Sequence, residues 1–348
     1  MNKPQSICII RLTSLGDIML LTPMIRALRT AWPDARIDMI ISKQCAEIMR
    51  FNPRVDNLHV IDTKTGTFDF LKQWIRIKRT MPIYDLAIDV HDSIRSKVIR
   101  IGLGKTLSIY DSARSYKRSL IKNKSRIPIP SIIPIPQRYF SALNDFPEVH
   151  RDEKGLEFWL EDEKSNGTYP EQRIRLGERI LIAPGARHAT KRWPASKFVE
   201  LISLLDDSFH VPIALIGGPD DASLCGEISR MSTISIEDYS GKMNLHEIAS
   251  FMDSAHCIIG NDSGLMHVAA ARHIPLITMF GSTVPEFGFL PYHTPNEIIS
   301  LDLPCKPCTH IGNEKCPEGH FSCMNDISSS MVLSHVKSLL DSQRLNKY

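Results

Sequence analysis

No stretch of the 348 residues approaches the roughly 18 uncharged apolar residues that a membrane-crossing helix needs. The opening MNKPQSICIIRL runs straight into a short apolar segment, with no long hydrophobic region and small-residue cleavage site behind it, so no secretory leader is expected. A cytoplasmic location follows, with at most a peripheral contact at the inner face of the cytoplasmic membrane. Charge of one sign is also lacking. Lys and Arg number 42 against 39 acidic residues, a net +3, which gives no bulk attraction for nucleic acid. Glycine is scarce where a dinucleotide loop would need it: the turn at residues 11–17 has only Gly16, not GxGxxG, which counts against an oxidoreductase. There is no repeat of 20–50 residues. Cys8, Cys45, Cys225 and Cys257 are scattered among apolar neighbours and read as reduced core residues.

What is present is alternation. Apolar runs at 6–12, 36–41, 58–61 and 85–90 read as buried strands, and helical spacing at 17–32, 43–50 and 68–79 falls between them. IPIPSIIPIP at 127–136 is too rich in proline for a helix or central strand and predicts a rigid extended connector. The polar residues 161–171 read as a linker. The βα rhythm then restarts, with strands at 180–183, 212–216, 257–260 and 275–280. Helices are predicted at 195–205, from about 221, at 245–252 and at 264–271, and a final helix at 329–345 has no strand after it. A length of this kind divides into two domains. The expectation is an α/β chain of GT-B architecture, two Rossmann-like domains with parallel sheets facing a central cleft. The domains are 1–165, expected to bind the acceptor, and 172–328, expected to bind a nucleotide-sugar, followed by a helix at 329–348.

Three segments lie where such folds place ligands, at the carboxyl ends of strands. In Arg11-Leu12-Thr13-Ser14-Leu15-Gly16-Asp17, Gly16 permits a tight turn. Asp17 is suited either to capping the next helix or to serving as a general base. Residues 184–194, PGARHATKRWP, bring Arg187, Lys191 and Arg192 to a strand end, as a diphosphate leaving group requires; the bland alternative is a solvated basic loop. In GNDSGLMH (260–267), Ser263 and Gly264 offer backbone N–H groups at a helix start, an anion site. Asp262 there suits a ribose hydroxyl or a loop-holding role, and His267 stands one turn beyond Ser263.

RLTSLGD, PGARHATKRWP, SGKMNLHEIASFMDSAHCIIGNDSGLMHVAAA and FGSTVPE together resemble glycosyltransferase family 9, the ADP-heptose:lipopolysaccharide heptosyltransferases, over about residues 7–327. The resemblance implies an inverting, metal-independent transfer of heptose from ADP-heptose to a lipid A–core acceptor. It also implies a nucleotide held mainly by the second half. Carried over by position, Asp17 resembles the catalytic base and Lys191 the diphosphate-binding lysine. Ser14 and Gly16 lie in the first motif, and Arg187 stands where some members carry a hydroxyl. Asp262, Ser263, Gly264 and His267 fall on the nucleotide-binding turn, and Met243 matches an adenosine-contacting position. No cofactor is required on this reading. A nucleotide-sugar epimerase or hydrolase on the same fold, or a family member using another sugar, is the alternative.

Two features stand apart. Cys305, Cys308, Cys316 and Cys323 form a cluster whose CxxC suits a structural zinc, while its second pair is spaced irregularly. Structural metal, reduced thiols and disulfides all remain open for it. The run RSYKRSLIKNKSR at 114–126 has six cations and no acid, and reads either as a solvated loop or as a patch for acceptor phosphates or an anionic membrane. A nucleic-acid-binding module built on these two features is disfavoured by the mild net charge and the extensive βα pattern.

Overall fold

Residues 3–124, 132–169 and 177–345 are described by the computed structural model. In chain order the first elements are β1 (Ser6–Ile10), α1 (Leu15–Met19), α2 (Thr22–Ala31), β2 (Arg36–Ser42), β3 (Asn57–Ile61) and α3 (Thr67–Lys78). They continue with β4 (Tyr84–Asp89), α4 (Ile94–Ile99), β5 (Gly104–Ile109), α5 (Arg114–Asn123), α6 (Ile135–Tyr139) and α7 (Glu161–Asn166). The strands form one parallel sheet in the order β3-β2-β1-β4-β5. Strand β1 is apolar almost throughout because a parallel sheet is covered on both faces. On one of those faces Cys8 and Ile10 of β1 pack with Phe70 and Trp74 of α3 and with Ile99 of α4.

The remaining elements are β6 (Arg179–Ala183), α8 (Ala195–Phe209), β7 (Ile213–Leu215), α9 (Ala222–Met231), β8 (Glu237–Asp238) and α10 (Leu245–Met252). After them come β9 (Ala255–Asn261), α11 (Gly264–Ala271), β10 (Leu276–Met279), β11 (Asn296–Ile299), α12 (Ser322–Asn325) and α13 (Ser329–Leu345). Their sheet is also wholly parallel, in the order β11-β10-β9-β6-β7-β8. Val332 and Val336 of α13 pack back onto Ile180, Ile259 and Met279, which is why this last helix needs no strand after it. The chain thus carries two doubly wound parallel sheets, the make-up of the GT-B fold.

Several local expectations change. The helix expected over 17–32 is two helices: Pro23 has no N–H to offer an interior turn, so α2 starts afresh around it. Residues 43–50 make only a 3-10 turn at Ala46–Met49. The extended connector gives way to α6, with Pro134 at its N-cap and Pro136 in its first turn; residues 127–131 of that expectation lie outside the described residues. The linker expected at 161–171 begins as α7, closed by Gly167 at φ +65°, while its residues 170 and 171 lie outside the described residues. By internal contacts the chain groups as Met1–Ala113 with Ile133–Tyr169, and Arg114–Ile132 with Pro170–Tyr348. Helix α5 therefore belongs with the second sheet rather than the first. There Lys117 Nζ sits 5.5 Å from the centre of the Phe289 ring.

Candidate active site

In the first unit, the loop after β1 leaves the sheet where strand order reverses, between β1 and β4, the position at which doubly wound sheets bind ligands. Asp17 is the third residue of α1, and both its oxygens are engaged. Its Oδ1 lies 2.5 Å from Arg11 Nη2, and its Oδ2 accepts from Ser14 N at 3.1 Å and Ser14 Oγ at 2.8 Å. Tyr139 Oη donates to the Asp17 carbonyl at 3.3 Å, and the Arg11 guanidinium lies over the Tyr139 ring. Burial alone would raise the Asp17 pKa; Arg11 and the two Ser14 donors overcome it and hold the carboxyl below its ordinary value. Ser14, not Asp17, is the N-cap of α1; Asp17 at the third position reaches back to the cap's own N–H. Its side chain still keeps 17% of its surface exposed, enough to meet a further partner. Ser14 is exposed and Gly16 buried.

In the second unit the corresponding reversal falls between β6 and β9, which pair directly with Ala183 opposite Gly260. This brings the two motif loops side by side. Lys191 Nζ lies 2.6 Å from Asp262 Oδ2, and Thr283 Oγ1 donates to the same oxygen at 2.9 Å. Asn261 binds both ends of the basic loop: its Nδ2 donates to Pro184 O at 2.7 Å, and its Oδ1 accepts from Trp193 N at 3.2 Å. Asp262 is thus the loop-holding residue anticipated as one of its two readings. Gly185 leaves room for the Asp221 carboxylate, which a Cβ there would meet at 2.0 Å. Asp221 in turn accepts from Gly218 N at 2.9 Å, and Gly241 N donates to Gly217 O at 3.0 Å. The loop after β6 thus packs closely against Asp221 in the loop after β7, which is bonded in turn to the loop after β8, where half-buried Met243 lies.

The sequence pattern of glycosyltransferase family 9 (heptosyltransferase) matches residues 74–318, more than half of the chain. The chain belongs to glycosyltransferase family 9. It is similar to lipopolysaccharide heptosyltransferase 3 of Escherichia coli K12, 29% identical over 284 residues that span 77% of this chain and 80% of that one. Its fold is that of the family 9 glycosyl transferase of Veillonella parvula DSM 2008, with a TM-score of 0.76 at 20% identity and 97% of each chain covered. The E. coli heptosyltransferase WaaC, solved with ADP, superposes with a TM-score of 0.70 at 18% identity, covering 96% of this chain and 99% of that one.

Within this glycosyltransferase, Lys191, Asp262, Ser263 and Gly264 gather at one sheet edge. Ser263 is the N-cap of α11, whose first turn presents N–H groups without helical acceptors. His267 is buried in that helix, and Arg187 is exposed with its carbonyl 3.4 Å from Arg192 Nη2. Two residues of the arrangement carried no assignment from sequence. Arg11 is a charge closing an apolar strand, and Thr283 is a hydroxyl just past another strand. Their polar character at strand ends, inside the motifs RLTSLGD and FGSTVPE, is the signal that would have found them.

The cysteine cluster is brought together without becoming a metal set. Cys305, Cys308, Cys316 and Cys323 are free thiols, and Cys308 Sγ donates to Cys305 O at 3.2 Å. Burial and the neighbouring thiols push Cys323 up to about 11, with Lys306 opposing. Among the described residues no group of three or more His, Cys, Asp and Glu is placed to hold a metal ion. The arrangement fits reduced thiols and does not fit the structural zinc considered from the spacing.

Proposed function

We propose that this glycosyltransferase carries heptose from ADP-heptose to a hydroxyl of a lipid A–core acceptor, with inversion at the anomeric carbon. The observation that carries this reading is the Lys191 ammonium held at the edge where β6 and β9 part, beside the first turn of α11. Positive charge there serves a leaving diphosphate. In the proposed step the acceptor oxygen attacks the anomeric carbon, its proton passes to Asp17, and the bond to the diphosphate breaks with its electron pair leaving on ADP. Lys191 and the Ser263–Gly264 amides stabilise that charge, so the step uses no metal. Met243 and His267 are assigned to the adenosine side and Arg187 to the outer phosphate. A bound donor exchanges its diphosphate for part of the Asp262 contact to Lys191 and leaves Asp262 free to accept from a sugar hydroxyl.

ADP release from ADP-heptose should depend on added core acceptor, and a glycosylated acceptor should appear in equal amount by mass spectrometry. An epimerase or hydrolase consumes the donor at the same rate without acceptor, and that result would remove the transferase reading.

The partners include an anionic membrane surface. Among the described residues no helix is long and apolar enough to cross a membrane. Exposed large apolar residues concentrate in the first unit, with Phe68 69% and Ile75 51% exposed on the outer face of α3 beside exposed Lys72, Arg76 and Arg79. Apolar wedges among cations are what an interfacial helix presents. Helix α5 has cations but no exposed large apolar residue, so α3 is assigned the membrane contact; Arg126 of the basic run lies outside the described residues. The protein should sediment with vesicles containing phosphatidylglycerol and not with phosphatidylcholine alone, and Phe68→Ser with Ile75→Ser should abolish this. Unchanged sedimentation of the double variant removes α3 from the role.

A further inference from the structure

The cysteine-rich segment has no chemistry in the proposed reaction, yet it is bonded to the loop that carries Lys191. The link is Thr190, 1% exposed, in the 3-10 turn Ala189–Lys191. Its N–H donates to Asn313 O at 3.0 Å, and its carbonyl accepts from Ser282 N at 3.1 Å. The hydroxyl is saturated as well. Oγ1 donates to Asn313 O at 3.0 Å, accepts from Asn313 N at 2.8 Å, and meets Ser282 Oγ at 2.8 Å. One donor and two lone pairs are all that a threonine hydroxyl has.

The same knot extends into the cysteine segment. Cys308 N donates to Ser282 O at 3.0 Å, and His188 Nδ1 lies 3.2 Å from Glu314 Oε1. Gly312, at φ +112°, lets the chain pass close to His188, where a Cβ would come within 2.6 Å of the His188 Cβ. On its far side the knot continues past Ser282 to Thr283 and so to the Asp262 oxygen that holds Lys191 Nζ.

We propose that Thr190 is a positioning residue for donor binding, and that the cysteine-rich segment is the buttress against which its hydroxyl fixes the Lys191 ammonium. The inference rests on the reading of Lys191 as the cation of the donor diphosphate. Thr190→Val keeps the shape and removes the hydroxyl, leaving the half-buried Asn313 N–H and the buried Ser282 O–H without their acceptor. The turn then loses its anchor on one side, and Lys191 its fixed position. Small misplacements of a positioning group are costly in rate and affinity.

The test is ADP titration by calorimetry, with donor and acceptor kinetics, on wild type, Thr190→Val, Thr190→Ser, Lys191→Ala and the Thr190→Val/Lys191→Ala pair. Thr190→Val should raise the ADP Kd and the donor KM about tenfold, and the acceptor KM should stay put. Thr190→Ser should restore both to within about threefold, because it keeps the hydroxyl. In the Lys191→Ala background, Thr190→Val should add nothing, since its effect passes through the lysine. A purely structural role would instead lower the melting temperature and add its full effect in both backgrounds, which overturns the proposal. Ser282→Ala, which removes a single hydrogen bond, should shift ADP affinity in the same direction and covers the case of a Thr190 variant that does not fold. An ADP affinity that Lys191→Ala leaves unchanged refutes the lysine reading itself; an affinity weakened by Lys191→Ala but untouched by Thr190→Val and Ser282→Ala refutes only the positioning role.

Discussion

Replacing Asp17 with alanine should lower turnover by roughly 10²–10⁴, the usual share of a positioned general base. A carboxylate held below its ordinary pKa by Arg11 and Ser14 is a weak base toward a resting sugar hydroxyl. Yet that hydroxyl becomes strongly acidic once its oxygen bonds to the anomeric carbon, so the proton transfer falls late in the step. The depressed pKa then has a use: Asp17 is ionised, and competent to accept, throughout the neutral range. The folded-state pKa is lower than the unfolded one, so the Arg11 pair contributes stability above the ordinary carboxylate value and loses it as pH falls through the depressed one. An acid limb of kcat/KM due to Asp17 therefore lies below the ordinary carboxylate range. Arg11→Gln should move that limb upward by removing the main charge that depresses it. Asp17→Asn separates charge from shape, keeping an oxygen for Ser14 while losing the base. Single-turnover rates with saturating donor, taken where melting curves show every variant folded, read the effect. Near-wild-type turnover in Asp17→Ala takes the residue out of the reaction.

How much of this arrangement was legible beforehand depends on how local each feature is. The apolar runs of β1, β2, β4, β6, β9 and β10 announce themselves because a parallel strand is buried on both faces. Strand β5, GKTLSI, does not: at the sheet edge its burial alternates residue by residue, and the sequence there resembles a loop. Strand β8 is two residues long, too short to leave any pattern. The candidate site residues could be found because doubly wound sheets put ligands at carboxyl strand ends, and Asp17, Lys191 and Asp262 all follow such ends. What holds them could not. The Lys191–Asp262 pair spans 71 positions and the Thr190–Asn313 knot 123, and no periodicity encodes a contact made by the return of a distant segment. Spacing likewise left metal, reduced thiols and disulfides open for the four cysteines, because it states which thiols are near in sequence and not how their sulfurs and neighbouring ligands are arranged in space.

Lys191→Ala should cost on the order of 10² or more in turnover, because it removes the one side-chain cation that the loop after β6 aims at Asp262. Arg187 is exposed at the outer part of that loop, and Arg192 is spent on the Ala186 and Arg187 carbonyls, so neither is placed to stand in. The variant also strips Asp262 of its counter-charge. A carboxylate with 9% of its side chain exposed then faces the incoming diphosphate and repels it, so donor KM and ADP Kd should rise along with the loss in kcat. Lys191→Arg tests the point differently. It keeps the charge, but a planar guanidinium does not reproduce the compact ammonium that fits between Asp262 and the phosphates. Intermediate rates are expected, with binding recovering more than turnover. The double variant Lys191→Ala/Asp262→Asn separates the two effects. Removing the carboxylate's charge should restore ADP affinity part-way while turnover stays low, since the stabilising cation is still missing when the anomeric bond breaks. If Lys191→Ala leaves both kcat and ADP affinity as they were, the basic loop is surface, and the charge for the leaving group must come from elsewhere in the chain.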